Sequence, residues 1–315
     1  MRQPGIVRGL GPALFAALLA AWPGRILAAG PDSGGGSDTQ INERRPLNAN
    51  GRVSVNEVSG TVVIGVWDRN EIAITGMLGS GVDHLEISGD ADNLSVAVKL
   101  PKFVHRGGEA DLRLMVPTTA GIAVETVSAD VSVQGSRGAV KVQTVSGDVG
   151  LEAESPEVSV QTVSGDLIMH VPARSTQVNT VSGDLRLSGL QGKAAVETVS
   201  GNLQISGGKF SELRLKSISG DVRVDASFAD TATVVGESLS GDITLHLPAD
   251  ASGTAALKSF SGEAQCDAQQ TEASSSPGNK RREYRFGDGK GLKLELSTFS
   301  GDIRVDRKQG AEAAK

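Results

Sequence analysis

Read for apolar and polar positions, the chain repeats one pattern centred on Ser-Gly-Asp or a near variant. The serines are Ser128, Ser146, Ser164, Ser182, Ser200, Ser219, Ser240, Ser261 and Ser300, at steps of 18, 18, 18, 18, 19, 21, 21 and 39 residues. Four residues earlier stand Val124, Val142, Val160, Val178, Val196, Leu215, Leu257 and Leu296, with Gly236 as the exception. Three and five residues later come pairs such as Val149/Leu151, Leu167/Met169, Leu185/Leu187 and Ile243/Leu245. Alternation on each side is the period of a strand with one buried face, and its phase slips at the triplet. A Gly flanked by Ser and Asp suits a corner, because Gly takes positive φ cheaply and both neighbours bond nearby backbone.

Each copy therefore reads as strand, corner, strand, return loop. One such unit cannot bury its own apolar face, so copies must stack. The prediction is an all-β, single-stack parallel β-solenoid with rungs of 18–21 residues, spaced ~4.8 Å apart. An outlying copy surrounds Ser59, whereas Ser88-Gly89-Asp90 lacks the aliphatic columns and is set aside. The regular solenoid spans 128–307 with a polar insertion at about 268–291. Segment 47–127 supplies irregular N-terminal rungs that close the stack, since an open sheet edge invites aggregation.

Stacking predicts ladders of like residues. Two before each serine lie Thr126, Thr144, Thr162, Thr180, Thr198, Ser217, Ser238, Ser259 and Thr298, inward by parity and able to bond one another up the stack. Two after lie Asp130, Asp148, Asp166, Asp184, Asn202, Asp221, Asp242, Glu263 and Asp302, expected to cap turns. Immediately before the serine run Val127, Val145, Val163, Val181, Val199, Ile218, Leu239, Phe260 and Phe299. Strict parity turns this column outward. A stripe so long is unusual on a monomer, which favours a late bend tucking it into the core; exposed, it would be a docking edge.

The serial Thr-Val-Ser-Gly-Asp copies, Leu112-Arg-Leu-Met-Val-Pro117, and Arg285-Phe-Gly-Asp-Gly289 leading into Leu294–Ile303 resemble the bacterial toast-rack, or "putative-adhesin", domain of unknown function, over about 47–307. The resemblance implies an envelope-associated β-solenoid, linked in some members to envelope stress. It supplies no catalytic motif.

Composition changes the picture in three ways. Ten aromatics against 40 glycines fit a core of small aliphatics with one glycine per corner. A single cysteine, Cys266, rules out an internal disulfide, and its column position reads as a small buried hydrophobe. A formal charge of −6 argues against nucleic acid as partner. Arg2 and Arg8 before the apolar run 13–22, then Ala28-Ala29, predict a cleaved export signal over 1–29. Its ten apolar residues are too few to span a bilayer. Cleavage removes three arginines and no acid, taking the charge to −9. A flexible leader at 30–46 and a disordered tail at 308–315 complete the expected layout, and the location is periplasmic or secreted.

The chemistry is sparse. The acid file could bridge calcium, but Gly and Asp adjoin here instead of being spaced as in the nine-residue calcium repeat, so no metal site is assigned. A carbohydrate-active enzyme on a β-helix is the main alternative. It would need carboxylates across a groove and aromatic platforms, where the acids form one file and only Trp67 and Tyr284 remain. His170 and His246 stand four rungs, ~19 Å, apart. Ice binding, a lesser alternative, needs the threonine column outward. Lys280, Arg281, Arg282 and Arg285 sit in the insertion, read as a solvated loop or as a contact for an acidic glycan or phospholipid headgroup. No catalytic residue, cofactor or metal ligand is predicted; the function read is a non-catalytic envelope scaffold or binding module. The partner would be an envelope protein or glycan.

Overall fold

The computed structural model describes residues 38–101, 108–276 and 279–307; the expected export signal at 1–29, the expected leader up to residue 37 and the expected tail at 308–315 lie outside the described residues. Every regular element among the described residues is a strand. The Ser-Gly-Asp corner divides each rung between two sheet faces, one built from residues ahead of the corner and one from residues behind it. Ahead of it, Val140–Ser146, Glu157–Ser164, Ser175–Ser182 and Gln191–Ser200 pair in parallel, like on like: Val142 beside Val160, Val178 and Val196, and Thr144 beside Thr162, Thr180 and Thr198. Behind it, Val149–Glu152, Leu167–His170 and Leu185–Ser188 do the same, placing Leu151, Met169, Leu187 and Ile205 in one column.

The core is the space between these faces. Its largest fully buried side chains include Phe210, Leu167, Met169, Leu185, Leu187 and Leu190, and the predicted aliphatic columns are buried throughout. Parallel rungs covered on both faces need no large side chains, because each layer only has to fill its own ~4.8 Å slice.

From the Ser146 rung onward the corner needs glycine for two independent reasons, whereas the Ser128 rung carries Ala129 there and runs through as one strand, Gly121–Gln134. Gly165 and Gly183 adopt φ of 132° and 122°, and a Cβ on either would stand 2.2 or 2.1 Å from the carbonyl oxygen of the glycine one rung below. The backbone turns left-handed there and the rungs touch at that point.

Five expectations require correction, two of them in the site below. The leader does not run to residue 46, since Thr39–Pro46 is an edge strand antiparallel to Glu71–Leu78, with Arg44 3.5 Å from Glu71. The rungs do not stack in sequence order at the C-terminal end. Leu292–Ser300 inserts between Val222–Ser240 and Gly253–Ser261, in parallel with both, so the last copy in sequence is the second-last rung. The 39-residue step exists because the chain must pass outward and return to fill that gap. Nor is the insertion a solvated loop: Gln269–Ser276 and Asn279–Phe286 form an antiparallel hairpin whose second strand pairs with Gly253–Ser261. Tyr284 and Phe286 are buried, and Arg282 and Tyr284 both donate to the Ala264 carbonyl, at 2.7 and 3.1 Å. The hairpin thus covers the last rung. The other two corrections are the apolar column and the hydroxyl ladder.

At the other end Arg52–Trp67 pairs in parallel with Gly121–Gln134 on one side and with Asn93–Lys99 and Ala110–Pro117 on the other. Antiparallel strands then close both faces: Glu71–Leu78 on Ala110–Pro117, and His84–Gly89 on Asn93–Lys99. Ser88 and Gly89 end the first strand of that second hairpin, paired with Ser95 and Leu94, and the turn follows at 90–92, with Asp90 accepting from the Asp92 and Asn93 amides at 2.9 Å. These strands lie at the N-terminal end of the stack.

Candidate functional site

The column from Val127 to Phe299 faces solvent. Its nine members are between 40% and 52% exposed, which overturns the expectation that it tucks into the core. The physical reason lies in the corner. The inward hydroxyl column and the first inward aliphatic behind the corner are five positions apart, so the phase slip falls within Ser-Gly-Asp and leaves the preceding residue outward. The stripe runs along the stack in rung order, and the threaded last copy sets Phe299 against Phe260, rings stacked at 4.5 Å.

Beside the stripe runs a polar column two residues earlier: Glu125, Gln143, Gln161, Asn179, Glu197, Lys216, Glu237, Ser297 and Lys258 in rung order. Gln143 donates to Gln161 at 2.8 Å, and Lys216 lies 3.8 Å from Glu197. Between the two columns an open groove of about 440 Å³ has the buried threonines at its floor, with Gln143, Gln161 and Asn179 on one wall and Val145, Val163 and Val181 on the other.

The threonine column is inward, as predicted, with Thr144, Thr162, Thr180 and Thr198 each about 5% exposed. This face therefore presents no hydroxyl array of the kind ice binding needs. Its hydrogen bonding differs from the expected ladder. Only Thr126 bonds to the next rung's hydroxyl, donating to Thr144 at 2.9 Å, while Thr144, Thr162, Thr180 and Thr198 donate to the carbonyl two residues on, at 3.0–3.4 Å. These four hydroxyls thus tie their strands to their own corners, whereas Ser259 donates to the Gly301 carbonyl of the neighbouring rung at 3.2 Å and the buried hydroxyls of Ser217, Ser238 and Thr298 have no hydrogen-bond partner.

The corner acids do cap turns, and they do so between rungs. Asp130, Asp148, Asp166 and Asp184 each accept from the backbone N–H of the acid or amide one rung up, at 2.9–3.0 Å. The relay continues through Asn202, Asp221, Asp242 and Asp302 to the Glu263 amide, following spatial order. Among the described residues no group of three or more His, Cys, Asp or Glu side chains is arranged to hold a metal ion.

The remaining candidates are dispersed. His170 contacts Ser188 Oγ at 2.9 Å and His246 stands 3.9 Å from Asp306, on rungs four apart. Trp67 donates its indole N–H to the Glu71 carbonyl under the Arg69 guanidinium, 4.9 Å from the ring centre. Of the insertion's basic residues, Arg281 pairs with Glu283 and Arg285 donates to the Asp288 carbonyl, while the Lys280 side chain lies outside the described residues. Cys266 is partly buried against the core, and desolvation pushes its thiol up to about 12.

One buried group escaped the sequence reading. Glu57 is 3% exposed, neither carboxyl oxygen has a hydrogen-bond partner, and burial, with the Asp111 charge adding to it, pushes its pKa up to about 8. The signal was available: Glu57 pairs with Thr126 and so occupies the inward hydroxyl column of the Ser59 rung.

The family model described as Toastrack DUF4097 matches residues 40–306, and the chain belongs to that family. No curated protein matches it. Among solved structures it is similar to a "putative adhesin" from Bacteroides fragilis NCTC 9343, at 15% identity and a TM-score of 0.41, over 86% of this chain and 98% of that one. It is also similar to a "putative cell adhesion protein" from Clostridium sporogenes ATCC 15579, at 8% identity and a TM-score of 0.22, over 86% and 100%.

Proposed function

We propose that this Toastrack protein is an exported, non-catalytic β-solenoid that acts at the bacterial cell envelope as a scaffold or adhesin-like module, working through contact along one sheet face. The observation that carries the reading is the nine-residue apolar stripe. Single exposed aliphatics are ordinary on a soluble protein, but a continuous file of them marks a surface that another surface covers. The polar side chains support the same view. The corner carboxylates are engaged with backbone amides, and the histidines lie too far apart to meet at one reacting atom.

The test is fractionation of cells carrying wild-type protein or Val163→Asp, with circular dichroism of the purified chains as the folding control. Wild type is expected with the envelope fraction. The folded variant is expected to leave it for the soluble exported fraction. Equal retention of both would refute the reading, as would a cytoplasmic wild type.

A further inference from the structure

The face that carries the stripe is complementary to itself when turned end over end. Take the nine regular rungs in spatial order: those of Ser128, Ser146, Ser164, Ser182, Ser200, Ser219, Ser240, Ser300 and Ser261. The middle one is the Ser200 rung. A two-fold axis lying along that strand, in the plane between two copies, sets first rung against ninth and second against eighth.

Charges then meet their opposites. Glu125 faces Lys258 of the second copy, and Lys141 faces its Glu295. The other charged positions on the two outer columns face neutral ones, Gln161 opposite Glu237, Asn179 opposite Lys216 and Gln177 opposite Arg214. The one like-charge meeting is Glu197 with itself at the axis, where each copy brings its own Lys216, 3.8 Å away. Across the nine rungs these columns hold four acids and four bases, a neutral face on a chain of net charge −6.

Side-chain size follows the same symmetry. The stripe is valine through its first five rungs and Ile218, Leu239, Phe299 and Phe260 through the last four. End-over-end pairing puts Val127 on Phe260, Val145 on Phe299, Val163 on Leu239 and Val181 on Ile218, so every valine faces a larger side chain except Val199, which meets its own copy on the axis. The threaded last rung is needed for the charge match, since it places Glu295 eighth and Lys258 ninth, whereas Phe260 and Phe299 are interchangeable for size. A two-fold axis along the stack, placed on the polar column, sets Glu125 on Glu125 and Lys258 on Lys258 and lays the stripe over the column of Lys141 and Arg214; like charges disfavour it.

The area suffices. Nine rungs at ~4.8 Å by five residues at ~3.3 Å give about 700 Å² a side, or about 1,400 Å² in all, within the range of specific interfaces. We propose that the occupant of the stripe is a second copy of this chain, in an antiparallel two-fold dimer centred on Val199. The proposal rests on reading the stripe as a docking face and names its partner.

Sedimentation equilibrium of the mature chain tests it. Wild type is expected to be a dimer at micromolar concentration. Val199→Asp, which sets two carboxylates on the axis, is expected to raise the dimer Kd at least ~100-fold with its circular dichroism unchanged. Glu125→Lys and Lys258→Glu should each weaken the dimer about tenfold, and the double variant should restore it. In a Cys266→Ser background, a short bismaleimide should join Val199→Cys across the two copies, facing across a ~10 Å gap between sheets, and should not join Val127→Cys, because the two copies' residue 127 positions lie at opposite ends. A wild type monomeric at ~100 μM overturns the proposal, as does a double swap no tighter than its parents or cross-linking at 127 as fast as at 199. Should the chain be monomeric while Val163→Asp still leaves the envelope fraction, the second copy is refuted and the docking face stands.

Discussion

Asp148 Oδ1 accepts the backbone N–H of Asp166, one rung above it, at 2.9 Å. The same bond joins every successive corner from Asp130 to Glu263, so the acid file is a seam that fixes rung on rung. Asn202 takes part through its own Oδ1, which shows that the seam needs an acceptor oxygen and not a charge. Asp148→Asn is therefore expected to cost less than about 0.5 kcal/mol, and Asp148→Ala about 1–2 kcal/mol, by urea unfolding. Because carboxylates ~4.8 Å apart repel, added salt should raise the melting temperature. Calcium should add nothing beyond its ionic strength. A large calcium-dependent rise, abolished by Asp148→Asn with Asp166→Asn, would contradict this.

The corner glycines admit no side chain. A Cβ on Gly183 would lie 2.1 Å from the Gly165 carbonyl oxygen while φ is 122°. Gly183→Ala is expected to lose about 3 kcal/mol or more, whereas Gly150→Ala, whose Cβ finds its nearest neighbour at 4.0 Å, should be nearly neutral. Thermal melts of the two variants side by side check the contrast.

Glu57 makes stability depend on pH. Its folded-state pKa of about 8 exceeds the ordinary 4.5, so between those values the unfolded chain releases the proton that the folded chain retains. Stability is full below about pH 4.5 and falls as pH rises to about 8. Glu57→Gln keeps the shape and cannot ionise; it should stabilise the protein at pH 8 by at most about 4 kcal/mol and leave it nearly unchanged at pH 4.5. An equal effect at both pH values would contradict the cause assigned.

Cys266 should be slow to react. With its pKa near 12, the thiolate fraction at pH 8 is on the order of a thousandfold below that of a free thiol, and alkylation should fall accordingly until the chain is unfolded. Alkylation of the folded protein at the free-thiol rate would contradict its place against the core.

Much of this fold was legible in the sequence because stacking in register turns like residues into columns. Val142, Val160, Val178 and Val196 declare one face, and the corner glycines declare where it ends. The sidedness of Val163 was harder: strict parity points it outward, but so long an apolar stripe is unusual on a monomer, and that argument outweighs parity until the corner's geometry is known. The exchange of the last two rungs was invisible for another reason: Ser261 and Ser300 carry equivalent columns, so either order satisfies the pattern. Only the 39-residue step hinted that the chain had a detour to make. Tyr284 and Phe286 were hidden among basic residues whose charge suggested solvent.

The most direct measurement is urea unfolding of Val163→Asp. With Val163 outside the core, its unfolding free energy should stay within about 0.5 kcal/mol of wild type under monomeric conditions, with an unchanged denaturant slope. A loss of about 3 kcal/mol or more, as for a charge placed in a packed interior, would show the stripe to be core and remove the docking face on which the functional reading depends.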